Sequence, residues 1–202
     1  MGASLGLELH RHGFFPAGGG VLLAHVAKAA WTGLELLDAP HAEEVVRHQI
    51  TARILHHALP PNVPSREANT LRRRLDLQPD QVERIDVPSN GPGNAVLVDV
   101  PLGVVREVVC SLGERGVTAE AVAERAAAEV RSLLAARAPV GEHLADQLLI
   151  PLALAGGGVF RTVAPSEHTR SNASIVERFL PVVITLREDV AAGNWVVEVR
   201  AR

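Results

Sequence analysis

Two kinds of hydrophobic periodicity follow one another along this 202-residue chain, and their order is the strongest constraint on its fold. Leu5, Leu7 and Leu9 alternate with polar or glycine positions, as in a half-buried strand. Residues 119–137 instead repeat apolar positions at helical spacing, directly after Thr118, a typical N-cap residue. Because helical and strand segments are intermixed, the sequence predicts an α+β protein with mixed rather than purely parallel sheets.

The same patterns predict the remaining elements. Strands are expected at residues 21–27, 34–37, 82–87, 94–100, 104–111, 159–163, 182–187 and 195–200. Helices are expected at residues 42–59, 119–137, 141–153 and 173–180, with a short helix or turn around Leu71. The helix at 42–59 rests on apolar residues at helical spacing before a Pro-Pro pair, namely Val45, Val46, Ile50, Ile54, Leu55 and Leu59.

Composition narrows the classes of function. Hydrophobic residues make up 47% and charged residues 21%, which is an ordinary globular balance. Aromatic residues make up only 3%, so stacking platforms for bases are scarce and a sequence-reading single-strand binder is disfavoured. The net charge of −3 gives no global attraction to nucleic acid. Any RNA contact must therefore come from local patches, and the run Arg72 to Arg74 is either such a patch or a solvated helix face.

The cysteine content and the longest apolar run bear on the compartment. A single cysteine, Cys110, lies in an apolar run and is expected to be buried; no intrachain disulfide can form. The first residues lack the form of a signal peptide, and the apolar stretch at 148–159 is short for a bilayer span and interrupted by glycines. We therefore expect a cytoplasmic protein with no membrane partner.

A polar turn near the end of the chain, Pro165-Ser166-Glu167-His168-Thr169-Arg170-Ser171-Asn172, offers the first candidate for chemistry. A histidine that enters a helix from such a turn is placed where a nucleophile or a phosphate ligand would be. The alternative interpretation is structural: Ser171 or Asn172 caps the helix that runs to Leu180, and His168 is an exposed turn residue.

Four segments, taken in order, resemble RNA 3′-terminal phosphate cyclases. They are residues 11–20 (RHGFFPAGGG), 91–94 (GPGN), 141–151 with its EHLADQ core, and 165–181 ending in VERFLP. The resemblance extends over essentially the whole chain and corresponds to the later part of the family's usual length. It implies repeated units of two helices on a four-stranded sheet, interrupted by a smaller αβ insert. On that pattern, residues 1–39 and 139–202 belong to the core and residues 40–138 to the inserted domain.

The resemblance also implies an activity. Cyclases of this family convert an RNA 3′-phosphate into a 2′,3′-cyclic phosphodiester in three nucleotidyl-transfer steps, using ATP and a divalent metal, Mg or Mn. The family's covalent histidine corresponds to His168, which would form a histidine-AMP intermediate. A neutral imidazole is a good nucleophile near neutral pH, so this assignment is chemically sound. Arg170 and the start of the following helix are candidates for contacting phosphates.

Three residues on the helix before this turn are implied to bind the nucleotide. His143, Asp146 and Gln147 are spaced so that their side chains share one helix face. Family members use the corresponding positions to hold adenosine, with an aromatic ring where this chain has His143. Asp146 has two alternatives: it orients the His168 ring, or it accepts hydrogen bonds from the ribose. No residue is assigned as a metal ligand, since the histidines lack cysteines or clustered carboxylates at ligand spacing.

Three functional hypotheses remain open. The chain is the later part of an active cyclase, a non-catalytic cyclase-like protein that assists ribosome assembly, or an inactive truncated product. His168 favours the enzyme, because the non-catalytic relatives lack this nucleophile. An active cyclase would need RNA with a 3′-phosphate, ATP, and either a separate N-terminal half or further copies of the chain. Whether the isolated chain is active stays open.

Overall fold

The computed structural model describes residues 1–2, 4–38 and 47–202. Within them the strands are β1 (Leu5–Arg11), β2 (Val21–Val26), β3 (Glu35–Leu36), β4 (Thr51–His57), β5 (Val82–Asp86), β6 (Gly93–Leu102), β7 (Val105–Leu112), β8 (Gly157–Thr162), β9 (Val182–Asp189) and β10 (Asn194–Ala201). The helices are α1 (Asn62–Leu75), α2 (Ala119–Ala136), α3 (Glu142–Leu154) and α4 (Glu167–Phe179), with 3-10 turns at Arg47–Gln49 and Pro79–Gln81.

The strands form three sheets in this part of the chain. β1 and β2 make a two-stranded ribbon, and the two larger sheets have the orders β5-β4-β6-β7 and β3-β8-β10-β9. The pairs β4/β5 and β3/β8 are parallel, and the other pairs in the two larger sheets are antiparallel. The prediction of an α+β protein with mixed sheets is confirmed.

The first hydrophobic core lies between the β5-β4-β6-β7 sheet and helices α1 and α2. Its buried side chains are aliphatic, and Ile54, Leu71, Val96 and Val130 are fully buried. Small alanines along the inner side of α2 let this helix approach the sheet and α1 closely. The predicted cap is confirmed, since Thr118 accepts a hydrogen bond from the Ala121 N–H at 3.2 Å.

The second core lies between the β3-β8-β10-β9 sheet and helices α3 and α4. Phe160 is its one aromatic member and is fully buried among Leu149, Leu152 and Val197. Met1, Leu34 and Leu36 are partly buried and pack against this second core. Residues from the beginning of the chain therefore join a core built mainly from residues 140–199. The domain boundaries given above stay a prediction.

The β1–β2 ribbon leaves its apolar face in solvent. Cross-strand partners such as Leu9 and Leu22 share a face, and both are more than half exposed. On the opposite face the Glu8 carboxylate lies 3.4 Å from His10 and 3.5 Å from His25. The strand predicted from Leu5, Leu7 and Leu9 is present, but all seven of its residues are exposed, so it is not half-buried in the described part of the chain.

The tip of the ribbon meets the GPGN segment. The Gly18 N–H donates to the Phe14 carbonyl at 2.7 Å, which closes the tip, and Gly18 has a positive φ of 61°. The Phe14 side chain lies directly against Gly93, where any larger residue would overlap the ring. Two of the four segments with family resemblance therefore contact each other.

Two sequence predictions are wrong, and a third gave the right kind of element with too short a length. The helix expected at 42–59 is strand β4 over residues 51–57, preceded by the 3-10 turn; residues 42–46 of that prediction lie outside the described residues. The short helix or turn around Leu71 is the 14-residue helix α1. Cys110 is exposed because its side chain lies on the uncovered face of β7, whereas neighbouring Val109 faces the helices.

Candidate active site

Helix α4 begins at Glu167, one residue before His168, and not at Ser171 or Asn172. Ser166 is the N-cap, and its hydroxyl accepts a hydrogen bond from the Thr169 N–H at 3.3 Å. His168 is thus the second residue of the helix, where backbone N–H groups have no partner inside the helix. Sequence patterns suggested the wrong cap because Ser166, Ser171 and Asn172 are all good cap residues.

The His168 side chain is exposed. Its imidazole has no hydrogen-bond or ion-pair partner among the residues that the structure describes. The His168 carbonyl accepts a hydrogen bond from the Ser171 hydroxyl at 3.0 Å. The ring is therefore free to react, and the helix start beside it favours anions through its unpaired N–H groups and its dipole.

Helices α3 and α4 are joined by a polar contact that the sequence did not suggest. The Asn172 side-chain amide donates to Asp146 Oδ1 at 2.9 Å and to the Asp146 carbonyl at 3.3 Å. Asn172 lies one helical turn after His168, so both side chains are on the same side of α4. This contact fixes the candidate nucleotide helix beside the candidate nucleophile.

The three candidate nucleotide residues are all on α3 but differ in exposure. Asp146 is partly buried by its contact with Asn172, whereas His143 and Gln147 are exposed. The imidazole of His143 lies 3.9 Å from Glu129, a long ion pair between partly solvated groups. Pro151 has no N–H, so it leaves the Gln147 carbonyl without its usual partner in the helix.

The Arg170 side chain contacts both Trp195 and Glu167. Its guanidinium carbon lies 5.0 Å from the centre of the Trp195 ring, a distance suited to a cation–π contact. Its Nε atom is 4.0 Å from Glu167, an exposed carboxylate. Arg170 therefore ties α4 to strand β10 in this structure.

The described residues contain no ready-made cluster of metal ligands. No group of three or more His, Cys, Asp or Glu side chains among them has the arrangement needed to hold a metal ion. No helix in the same part of the chain is both long and apolar enough to cross a membrane. The chemistry that these residues offer is an accessible imidazole beside a helix start and a partly buried carboxylate.

The architecture is α+β, and a histidine without a side-chain partner among the described residues lies at the start of α4. Comparison with known proteins gives the family. The family model described as RNA 3′-terminal phosphate cyclase matches residues 1–186. The chain belongs to the RNA 3′-terminal phosphate cyclase family.

Individual relatives carry the same description. An RNA 3′-terminal phosphate cyclase of Pseudomonas aeruginosa is 44% identical over 186 residues, covering 91% of this chain and 53% of that protein. One from Koribacter versatilis is 38% identical over 204 aligned positions, covering 100% and 56%. One from Salmonella enteritidis is 43% identical over 182 residues, covering 90% and 52%. The chain spans about half the length of the curated relatives it matches.

Proposed function

We propose that this chain is the later part of an ATP-dependent RNA 3′-terminal phosphate cyclase, and that His168 is its covalent nucleophile. The observation that supports this most is the exposed imidazole at the start of α4, which has no partner among the described residues, in a member of this family. A structural histidine would gain stability from a buried or hydrogen-bonded position, which His168 lacks.

The reaction proceeds in three balanced steps. A neutral nitrogen of the His168 ring attacks the α-phosphorus of ATP; an N–P bond forms, pyrophosphate leaves, and the ring loses its other proton to solvent. An oxygen of the RNA 3′-phosphate then attacks the same phosphorus, the N–P bond to His168 breaks, and the leaving imidazole takes back a proton from solvent. Finally the adjacent 2′-OH attacks the RNA 3′-phosphorus, loses its proton and expels AMP, which closes the cyclic phosphodiester.

The other residues position the nucleotide. The first N–H groups of α4 face the developing negative charge on the phosphate. His143 stacks on adenine, and Asp146 and Gln147 bind the rest of the adenosine. Asn172 uses both of its contacts with Asp146 to hold that helix in place. Family members use Mg or Mn, whose charge would stabilise phosphoryl transfer, and no ready-made cluster of metal ligands lies among the described residues.

The chain is divided into a core, residues 1–39 and 139–202, and an inserted αβ domain, residues 40–138. Two separate hydrophobic cores support this division, one drawn from residues 50–133 and the other mainly from 140–199. The core contributes the candidate active site. The remaining active-site residues come from one of three sources. They lie in the same polypeptide, in a separate N-terminal half, or in another copy of this chain within a homo-oligomer.

The test is cyclisation of a labelled RNA that ends in a 3′-phosphate. The chain, completed with the remainder of a cyclase, should convert this end to a phosphatase-resistant cyclic phosphate only when ATP is present. His168→Ala should lower the rate at least about a thousandfold, because the nucleophile itself is lost. His25→Ala, which removes an exposed histidine from the ribbon, is the matched control and should leave the rate unchanged. Cyclisation at an undiminished rate by His168→Ala would contradict the proposal.

A further inference from the structure

A cavity of about 300 Å³ lies between strand β7, helix α2 and the first turn of α3. Its walls combine carboxylates and aliphatic side chains, among them Glu107, Glu129, Glu142, Val109, Leu133 and Val163. No Lys or Arg lines the cavity within the described part of the chain. Three acidic groups thus line one partly open cavity, without a permanent cation from the described part of the chain.

Glu107 is the unusual member of this set. It is only 5% exposed, and the Gly141 N–H contacts one side of its carboxyl group. Its Oε2 atom is buried and lacks a hydrogen-bond partner within the described residues. Burial is the main cause that raises the pKa of the Glu107 carboxyl group. A buried carboxylate oxygen without a partner costs stability, so a donor that reaches it would bind favourably.

Glu129 strengthens the negative potential of the cavity. Its side chain is about one-third exposed, and burial raises its pKa, partly offset by the nearby imidazole of His143. That imidazole is 3.9 Å away and mostly in solvent, so it neutralises Glu129 weakly. The cavity therefore favours a ligand that brings its own positive charge and N–H donors.

We propose that this cavity binds an alkylammonium group, with the ammonium against Glu107 and Glu129 and the methylene chain against Val109, Leu133 and Val163. The carboxylates are not arranged to hold a metal ion, which favours an organic cation over a metal. The volume is at the small end of ligand pockets and suits a short aliphatic amine. A free diamine and a lysine side chain share this chemistry.

Calorimetric titration of the chain at about pH 8, well above the ordinary pKa of a glutamate carboxyl group, distinguishes these sources. The probes are 1,4-diaminobutane, Nα-acetyl-lysine amide and, as an uncharged control of similar length, 1,4-butanediol. Saturable binding of either amine and no binding of the diol are expected. Tighter binding of the diamine identifies a free amine as the ligand, and tighter binding of the lysine derivative identifies a lysine side chain.

Two variants locate the binding. Glu107→Gln and Glu129→Gln should each weaken amine binding at least about tenfold, since each removes one charge partner from a desolvated site. Glu188→Gln, an equal charge change at an exposed position on β9, should leave it unchanged. Glu129→Gln decides the matter if Glu107→Gln disturbs folding, because Glu129 lies at the cavity's rim. Failure of both amines to saturate the protein, or affinities unaffected by both variants, would overturn the proposal, whatever the outcome of the cyclisation assay.

Discussion

Single buried carboxyl groups set part of the pH dependence of this protein's stability. Glu67 is fully buried in α1, and one of its oxygens accepts a short hydrogen bond from the Asn94 side chain. Its other oxygen is buried without a partner in the described part of the chain. Burial outweighs the Asn94 contact and raises the pKa of Glu67 from 4.5 to about 7.

This pKa predicts a stability that falls as the pH rises. Because the folded state holds the Glu67 proton more tightly, the contribution is complete below pH 4.5 and lost as the pH passes 7. The loss is at most about 3 kcal/mol in the free energy of unfolding. Glu67→Gln should flatten this part of the profile, measured by urea unfolding at a series of pH values. Some slope should remain, since burial also raises the pKa of Glu107 and Glu129.

An exposed carboxylate provides the comparison. Glu83→Gln changes the same chemical group on strand β5, where the side chain is in solvent, and should leave the pH profile as it is. A Glu67→Gln profile with the full slope of the unchanged protein would show that Glu67 does not cause it.

At the scale of elements, the contact between α3 and α4 determines how the candidate site is assembled. Asn172→Ala removes both hydrogen bonds to Asp146 and should lower the free energy of unfolding by about 1–3 kcal/mol, because the acceptor is a charged, partly buried group. Chemical denaturation of the chain measures this. Ser171→Ala, the neighbouring change, removes only an exposed bond to a backbone carbonyl and should cost clearly less. Equal losses in the two variants would mean that the Asn172 contact contributes no specific stability.

The elements also show what could be read from the sequence. Helix α2 was predictable because Thr118 caps it and its alanines and valines repeat at one helical period. β4 was mistaken for a helix because Ile50, Ile54 and Leu55 fit helical spacing. The alternation that matters is Ile50, Ala52 and Ile54, which are buried against the helices. Local spacing cannot separate these two patterns in a short apolar run, and tertiary packing decides.

The candidate site was predictable only in part. Helix α3 and a histidine at the entrance to α4 followed from local polar and apolar patterns, and the roles of the residues followed from family resemblance alone. The Asn172–Asp146 contact joins residues 26 positions apart, so no local sequence pattern could predict it. Glu107 was overlooked for the same reason, since its burial depends on α2 and the start of α3 covering strand β7.

At the scale of the whole molecule, the β1–β2 ribbon stands out because its apolar side chains are exposed to solvent. A two-stranded ribbon alone is marginally stable, and its exposed apolar face includes Leu5, Leu7, Leu9, Leu22 and Val26. We expect the isolated chain either to associate or to have a low thermal unfolding temperature. A monodisperse monomer with a sharp unfolding transition at high temperature would contradict this expectation.

Adjacent leucines on opposite faces of the ribbon allow a matched comparison. Leu22→Lys places a charge on the apolar face and should reduce association markedly, as measured by sedimentation velocity. Leu23→Lys places the same charge opposite Glu8 on the polar face and should change association little. Equal effects of the two variants would show that association does not use the apolar face.

Transfer of AMP to the protein tests the central claim most directly. The chain, completed with the remainder of a cyclase and given α-labelled ATP with a divalent metal, should acquire a label that is labile in acid and stable in alkali, as expected of a phosphoramidate. His168→Ala should abolish this label without unfolding the protein, since an exposed helix-start residue contributes little to packing. Asp146→Asn should weaken labelling less, because positioning suffers while the nucleophile remains. Labelling of His168→Ala at the level of the unchanged protein would contradict the account.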